Sequence, residues 1–268
     1  MGRRLSPEGG IQMSDAYNKG EQLLMDTYEE GIKGVLANLS ELSPHIGRYI
    51  VEFFGQVFTN PLLSFTQREM ITIAALTSLG DCPGQLKWHI QFGMKVGLAP
   101  EEIIELITHT IPFSGFPRAL NAISLAKLVF EELGIQIAIQ DELLNAGNIR
   151  ETGLAKLQEI DGEHGTQVLE SLAGVAPVLA DQIVDFTFGE IYSRSLLDAK
   201  QRQLVTLASL TAQGGCEPQL RVHIHAALRV GLNEQQVIEA LLQCYPYTGF
   251  PKVLNAVSTA RQVFEHQK

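Results

Sequence analysis

The sequence is short of cysteine, of basic charge and of long apolar runs, and each shortage removes a class of protein. Its three cysteines, Cys82, Cys216 and Cys244, are an odd number in 268 residues, too few for a disulfide-stapled scaffold. The opening residues carry no secretory hydrophobic segment, so a reducing cytoplasm is the expected location. No apolar stretch approaches the ~18 uninterrupted residues of a membrane helix, and no membrane partner is expected. With 20 basic against 30 acidic side chains, a formal charge of −10, the chain lacks the Lys and Arg that supply nucleic-acid affinity. A glycine-rich phosphate loop, a Ser-His-Asp order and a dinucleotide fingerprint are missing too, and no cofactor is expected. His223 and His225 stand at i, i+2 and point apart on a helix, and structural zinc would want more Cys and His at close spacing, so no metal is expected. What remains is 45% hydrophobic and 19% charged, a globular composition with a sizeable core.

The chain matches itself. From Phe54 onward a constant offset of 134 residues pairs Gly55 with Gly189, Arg68 with Arg202, Cys82 with Cys216, Gln85 with Gln219 and His89 with His223. The same offset pairs Glu105 with Glu239 and Gly115-Phe116-Pro117 with Gly249-Phe250-Pro251. Upstream the offset is 133, as in Leu36 with Leu169 and Phe53 with Phe186, so one residue is inserted near Thr187. A period this long is a duplicated domain, since solenoid repeats run ~20–50 residues. The expected organisation is a tail over residues 1–16, a first copy over 17–134, a linker over 135–149 and a second copy over 150–268.

Both copies read as helical, and no period-2 run bounded by turn signals is present, so the expected class is all-α. Thr66-Gln67-Arg68-Glu69 reads as a capping box opening a helix, Pro83 suits a first helical position, and Gly97 and Gly231 suit helix stops. Asn233 with Gln236 caps the next helix of the second copy. Glu101, Glu102 and Glu105 read as a solvated acidic face. The segment from Cys244 through Tyr245-Pro246-Tyr247-Thr248-Gly249-Phe250-Pro251 reads as a helix–helix corner.

The densest polar constellation is Cys-x2-Gln-x3-His, present as Cys82, Gln85, His89 and again as Cys216, Gln219, His223. Positions i, i+3 and i+7 fall within about a 60° arc of a helix, so the three share a face. Seven residues at ~1.5 Å each separate Cys and His by ~10 Å along the axis, which makes Gln85 the natural neighbour of His89. The bland reading of this stripe is packing, and its presence in both copies is equally consistent with structure and with function.

At these residues the sequence resembles the carboxymuconolactone decarboxylase family, which also holds alkylhydroperoxidase D-like proteins. In the second copy the resemblance runs through Phe188-Gly189-Glu190-Ile191-Tyr192-Ser193-Arg194, Arg202, Gln219-Leu220-Arg221-Val222-His223, Gly231, Glu239 and Tyr247-Thr248-Gly249-Phe250-Pro251. It implies two tandem alkylhydroperoxidase D-like helical domains and a homotrimer forming a six-domain ring. It also implies a lyase working by acid–base chemistry on a small carboxylated molecule. In that reading His223 and His89 move protons and Gln219 and Gln85 orient the substrate. Glu190, Arg194 and Arg202 complete the binding set, the arginines holding a carboxylate.

Two alternatives stand beside it. One is a thiol-dependent antioxidant peroxidase, of peroxiredoxin type, using Cys82 and Cys216. Peroxidase members carry Cys-x2-Cys-x3-His with a glutamate twelve residues ahead. Here Gln85 and Gln219 replace the second thiol, and Met70 and Leu204 hold the glutamate position. The other is a non-catalytic oligomeric ligand-binding protein. The second copy is the better candidate site, because it keeps Glu190, Tyr192 and Arg194 where the first has Gln56, Phe58 and Asn60.

Overall fold

The computed structural model describes residues 13–40, 43–137 and 147–266. Most of the expected tail and linker therefore lies outside the described residues. The fold is all-α, with helices and no strand among the described residues, and no described helix is long and apolar enough to cross a membrane. The chain forms two compact units, Met1–Pro61 and Leu62–Lys268.

The first unit holds α1 (Asp15–Ser40), kinked at Tyr28, then α2 (Pro44–Phe53) and a π-helical turn, Phe54–Phe58. Glycine sets the α1 crossing. A Cβ on Gly20 would lie 1.9 Å from the Val51 carbonyl oxygen, and one on Gly55 would lie 1.6 Å from that of Ala16. No other residue allows backbones this close.

The second unit holds the rest. From the first copy come α3 (Phe65–Leu79), α4 (Pro83–Lys95), α5 (Pro100–His109), the single turn α6 (Ile111–Ser114) and α7 (Phe116–Glu132). From the second copy come α8 (Ile149–Ile160), α9 (Glu163–Ala173), α10 (Pro177–Gln182), a π-helical segment Ile183–Ile191, and α11 (Ala199–Gln213). Then follow α12 (Glu217–Arg229), α13 (Glu234–Gln243), the single turn α14 (Tyr245–Thr248) and α15 (Phe250–His266). The corner expected around Cys244–Pro251 is the α13–α14–α15 connection. Gly153 and Gly189 repeat the glycine crossing, a Cβ on Gly153 standing 2.2 Å from the Val184 carbonyl. The one-residue insertion near Thr187 falls inside Ile183–Ile191, a nine-residue π-helical segment where the first copy has five. One extra residue in a helix is what a π-bulge accommodates.

The core of this unit belongs to both copies. Helices α3 and α11 pack along each other, and Met70, Ile71, Ile73, Ala74, Leu204, Val205, Leu207 and Ala208 are all fully buried in one cluster. Reciprocal ion pairs lock the two copies together. Arg68 Nη2 donates to Glu239 Oε2 at 3.1 Å and its Nη1 to Gln243 Oε1 at 3.1 Å. At the matched positions Arg202 Nη2 donates to Glu105 Oε1 at 2.7 Å and Nη1 meets His109 Nδ1 at 3.2 Å. Because a guanidinium only donates, His109 Nδ1 accepts, and Nε2–H donates to Thr206 Oγ1 at 3.0 Å. Burial and the adjacent Arg202 hold His109 neutral, well below the ordinary histidine range.

Two local expectations are corrected. The capping box of α3 sits two residues earlier than expected: Ser64 Oγ accepts from the Gln67 amide and Gln67 Oε1 from the Ser64 amide. Glu69 consequently lies inside the helix and is fully buried. Glu105 is 1% exposed and ion-paired, not part of a solvated face. The box at Asn233 and Gln236 forms as expected.

Candidate functional site

Helix α12 carries His223 into the interior because the two residues beside it on the same face, Leu220 and Ala227, are core. The ring is 9% exposed, and its Nδ1 has no hydrogen bond. It faces a cavity of about 190 Å³ lined by Gln219, Val222 and His223 from α12, Leu157 and Asp161 from the α8 end, and Gly165 and Val168 from α9. Ile183, Thr187 and Phe188 of the π-helical segment add a wall. The far side is Pro112 and Phe113, which belong to the first copy. Phe113 meets the His223 ring edge-on at 5.3 Å, and its carbonyl accepts from Gln213 Nε2 at 2.5 Å, which fixes the corner.

Asp161 terminates α8 and is 8% exposed. Gly162, at φ +59°, makes the turn that follows, in a backbone region that favours glycine. Arg229 secures this corner from α12 by donating to the Glu159 and Gln158 carbonyls at 2.9 and 3.2 Å. Asp161 Oδ1 stands 3.9 Å from His223 Nδ1, too far for a hydrogen bond, and both atoms are buried without partners. Burial pushes the Asp161 carboxyl up to about 7 and the His223 imidazole down to about 4. Between those values the pair is a neutral acid beside a neutral base, two groups whose proton affinities have been driven across one another.

The first copy's histidine is arranged differently. His89 Nδ1 lies 2.9 Å from Glu69 Oε2, from α3, and its ring meets Tyr247 edge-on at 5.1 Å. Burial raises the Glu69 carboxyl above the ordinary range, with His89 pulling it back. Tyr247 is the match of Phe113, so each histidine packs against the corner aromatic of the other copy. The expected neighbour of His89, Gln85, is exposed.

Of the expected site residues, the structure gathers His223 and Gln219 at the cavity. Glu190 is half-buried on the π-helical segment and does not line it. Arg194 and Arg202 are committed elsewhere: Arg194 Nε donates to Glu105 Oε2 at 2.7 Å and Arg202 to Oε1 at 2.7 Å, and neither lines the cavity. Their expected use as carboxylate clamps meets a carboxylate of the protein's own.

Cys82 and Cys216 stand at the N-caps of α4 and α12, with their sulfurs on the Leu76 carbonyl at 3.7 Å and the Gly214 carbonyl at 3.5 Å. Burial, with the charges of Asp81 and Glu217 behind it, raises both thiols, the opposite of what a peroxidatic cysteine needs. Among the described residues no group of three or more His, Cys, Asp or Glu is placed to hold a metal ion.

Sequence reasoning missed Asp161, Glu69 and Phe113. Glu69 had one available signal, the only acid in an otherwise largely apolar helix, whereas Asp161, between Glu159 and Glu163, had none. Phe113 had none beyond its place in the corner.

Residues 44–128 and 177–262 each match the carboxymuconolactone decarboxylase family, and the chain belongs to that family. It is 35% identical over 114 residues to the 4-carboxymuconolactone decarboxylase of Acinetobacter baylyi, covering 42% of this chain and 84% of that protein. It is 29% identical over 100 residues to an uncharacterised 15.0 kDa protein of Paracoccus denitrificans, covering 37% and 75%. Against the nitrosuccinic acid decarboxylase npaB of Metarhizium robertsii it is 32% identical over 75 residues, covering 28% and 52%.

Proposed function

We propose that the protein decarboxylates a small carboxylated molecule at the His223 cavity, with 4-carboxymuconolactone the first compound to test. The observation that carries this is His223 itself: a neutral, buried imidazole with an unpartnered nitrogen on a cavity that also holds Gln219. The cavity falls below the ~300–1,000 Å³ of drug-sized pockets, which suits a substrate of few heavy atoms. Two of the similar proteins described above are named decarboxylases.

Most of the lining is aliphatic or aromatic. A carboxylate placed there gives up hydration, and the neutral carbon dioxide that leaves has little to lose, so the apolar walls favour the product side of C–C cleavage. As that bond breaks, its electron pair moves onto the neighbouring carbonyl. The developing oxyanion needs donors already in place, and the Gln219 amide and the His223 imidazole are the polar groups that α12 brings to the cavity. Phe113 closes the cavity from the first copy, so one site draws on both halves of the duplication.

The working form is a homo-oligomer. Phe116 and Leu120 on α7 and their matches Phe250 and Leu254 on α15 are 55–66% exposed, the kind of apolar surface that a second copy of the chain would cover.

The test is carbon dioxide release from 4-carboxymuconolactone by the whole protein and by His223→Asn, with thermal melting as the folding control. Loss of at least ~100-fold in kcat with the fold kept is expected, the scale of a general acid–base or oxyanion group. Unchanged turnover in the variant refutes the role of His223. Tight binding without turnover by the wild type replaces the enzyme with a binding protein.

A further inference from the structure

Decarboxylation consumes one proton per turnover, since R–COO⁻ + H⁺ gives R–H + CO2. A cavity walled mainly by aliphatic and aromatic side chains has to import that proton. Asp161 borders two cavities. It lines the His223 cavity, and it also lines a separate groove of about 520 Å³ with Glu163, His164, His225 and Arg229. In that groove the rings of His164 and His225 lie 4.4 Å apart, both half-buried, and His164 holds the His225 imidazole below its ordinary range after burial has done so first. Asp161 is therefore the wall between a surface groove holding two histidines and the His223 cavity.

We propose that Asp161 is the proton relay of the His223 cavity, accepting protons from the groove of His164 and His225 and delivering them to the reacting carbon. The inference rests on the decarboxylase reading and assigns its acid. In the step, the bond from the substrate carbon to its carboxylate breaks and carbon dioxide leaves. The electron pair becomes the C=C of an enolate, its oxygen held by the polar wall. The enolate pair then takes the proton from the Asp161 carboxyl to form C–H, leaving a carboxylate. A proton from the groove restores the acid, and no oxidant or reductant is involved.

Two independent observations support the assignment. Asp161 Oδ1 is buried without a hydrogen-bond partner, 3.9 Å from an equally unpartnered His223 Nδ1, a gap that a substrate oxygen or a water can bridge. Arg229 ties the corner that carries Asp161 to α12 through the Gln158 and Glu159 carbonyls, which sets the Asp161 backbone between the two cavities. The titratable and charged groups facing it are His223, His225 and Arg229 from α12, Glu163 and His164 from α9, and Tyr192, which caps the π-helical segment. At the position matching Asp161 the first copy has Tyr28, so the relay belongs to the second copy alone.

The test has two readouts. In the first, carbon dioxide release from 4-carboxymuconolactone is followed from about pH 5 to 9 for the wild type, Asp161→Asn, Asp161→Glu and the double variant His164→Gln/His225→Gln. Asp161→Asn is expected to lower kcat ~100-fold or more while KM stays within about threefold, with partial recovery in Asp161→Glu. The histidine double variant is expected to lose roughly 3–10-fold in dilute buffer and regain it with added imidazole. A kcat for Asp161→Asn within about threefold of wild type overturns the relay, and so does an effect on KM alone.

The second readout needs no turnover. The ¹³C signal of the Asp161 carboxyl, assigned by its loss in Asp161→Asn, is titrated in the wild type and in the histidine double variant. The relay requires a midpoint near neutral pH that moves when the two histidines are removed. A midpoint in the ordinary aspartate range, or one blind to the groove, overturns it. Should the wild type release no carbon dioxide from this compound, the decarboxylase reading fails separately and the titration decides the connection between Asp161 and the groove.

Discussion

Replacing Asp161 by Asn should make the protein more stable as pH rises, and the size of the effect follows from the burial of this one carboxyl. Its proton affinity climbs from the ordinary 3.8 to about 7 in the fold. The folded state thus binds a proton that the unfolded chain has released over that interval. Stability is lost as pH rises from 3.8 through 7 and is fully forfeited above it. At 1.36 kcal/mol per tenfold change in affinity the whole loss is roughly 4 kcal/mol, of which about 2.5 kcal/mol falls between pH 5 and pH 8. An amide of the same shape does not titrate, so its own hydrogen-bonding cost is constant and cancels in the comparison across pH. His223 works in the opposite sense: its affinity falls to about 4, so its contribution is lost as pH drops below about 6.5, and it is common to both proteins. Melting curves of wild type and Asp161→Asn at pH 5 and pH 8 read the difference. The variant should gain on the order of 5–10 °C over wild type between the two, at ~2–4 °C per kcal/mol for a domain of this size. A difference in melting temperature that does not change with pH refutes the reasoning.

Other parts of the structure give equally direct outcomes. Arg202→Met should cost about 3–5 kcal/mol in denaturant unfolding by leaving Glu105 buried with Arg194 as its remaining ion-pair partner. The paired Arg202→Met/Glu105→Leu should recover most of that, and equal losses in both variants would contradict the account. Gly153→Ala puts a Cβ 2.2 Å from the Val184 carbonyl, a backbone atom with nowhere to go, and should destabilise by ~2 kcal/mol or more. Gly174→Ala meets nothing within 4 Å and should change little. Alkylation rates against pH should show Cys82 and Cys216 titrating at or above the free-thiol value and Cys244, pushed up to about 12, unreactive in the native state. A midpoint for either N-cap thiol well below that of a free thiol would reopen the peroxidase chemistry.

The frame was legible in the sequence because duplication repeats what the fold requires. Arg68 with Arg202 and Glu105 with Glu239 stood out as retained pairs. Retention alone does not say that each arginine reaches the other copy's glutamate, since pairing across a pseudo-two-fold is a property of packing. That is why Glu105 read as solvent-facing and Arg202 as free for substrate. The candidate chemistry was less legible for the converse reason. Asp161 faces Tyr28 in the self-match, Glu69 faces Gln203 and Phe113 faces Tyr247, so a search for repeated polar residues passes over all three. The stripe geometry of Gln219 and His223 was readable from helix periodicity. The partner on the facing helix end was not, because the ~60-residue separation of Asp161 and His223 is closed only by the tertiary fold.

The most direct test of the central claim, that the chemistry belongs to the second copy's cavity, compares His223→Asn with His89→Asn in one assay of carbon dioxide release from 4-carboxymuconolactone. The account predicts that His223→Asn loses ~100-fold or more in kcat, while His89→Asn, with its ring paired to Glu69, loses less than about tenfold. Equal losses, or the larger loss at His89, would contradict it.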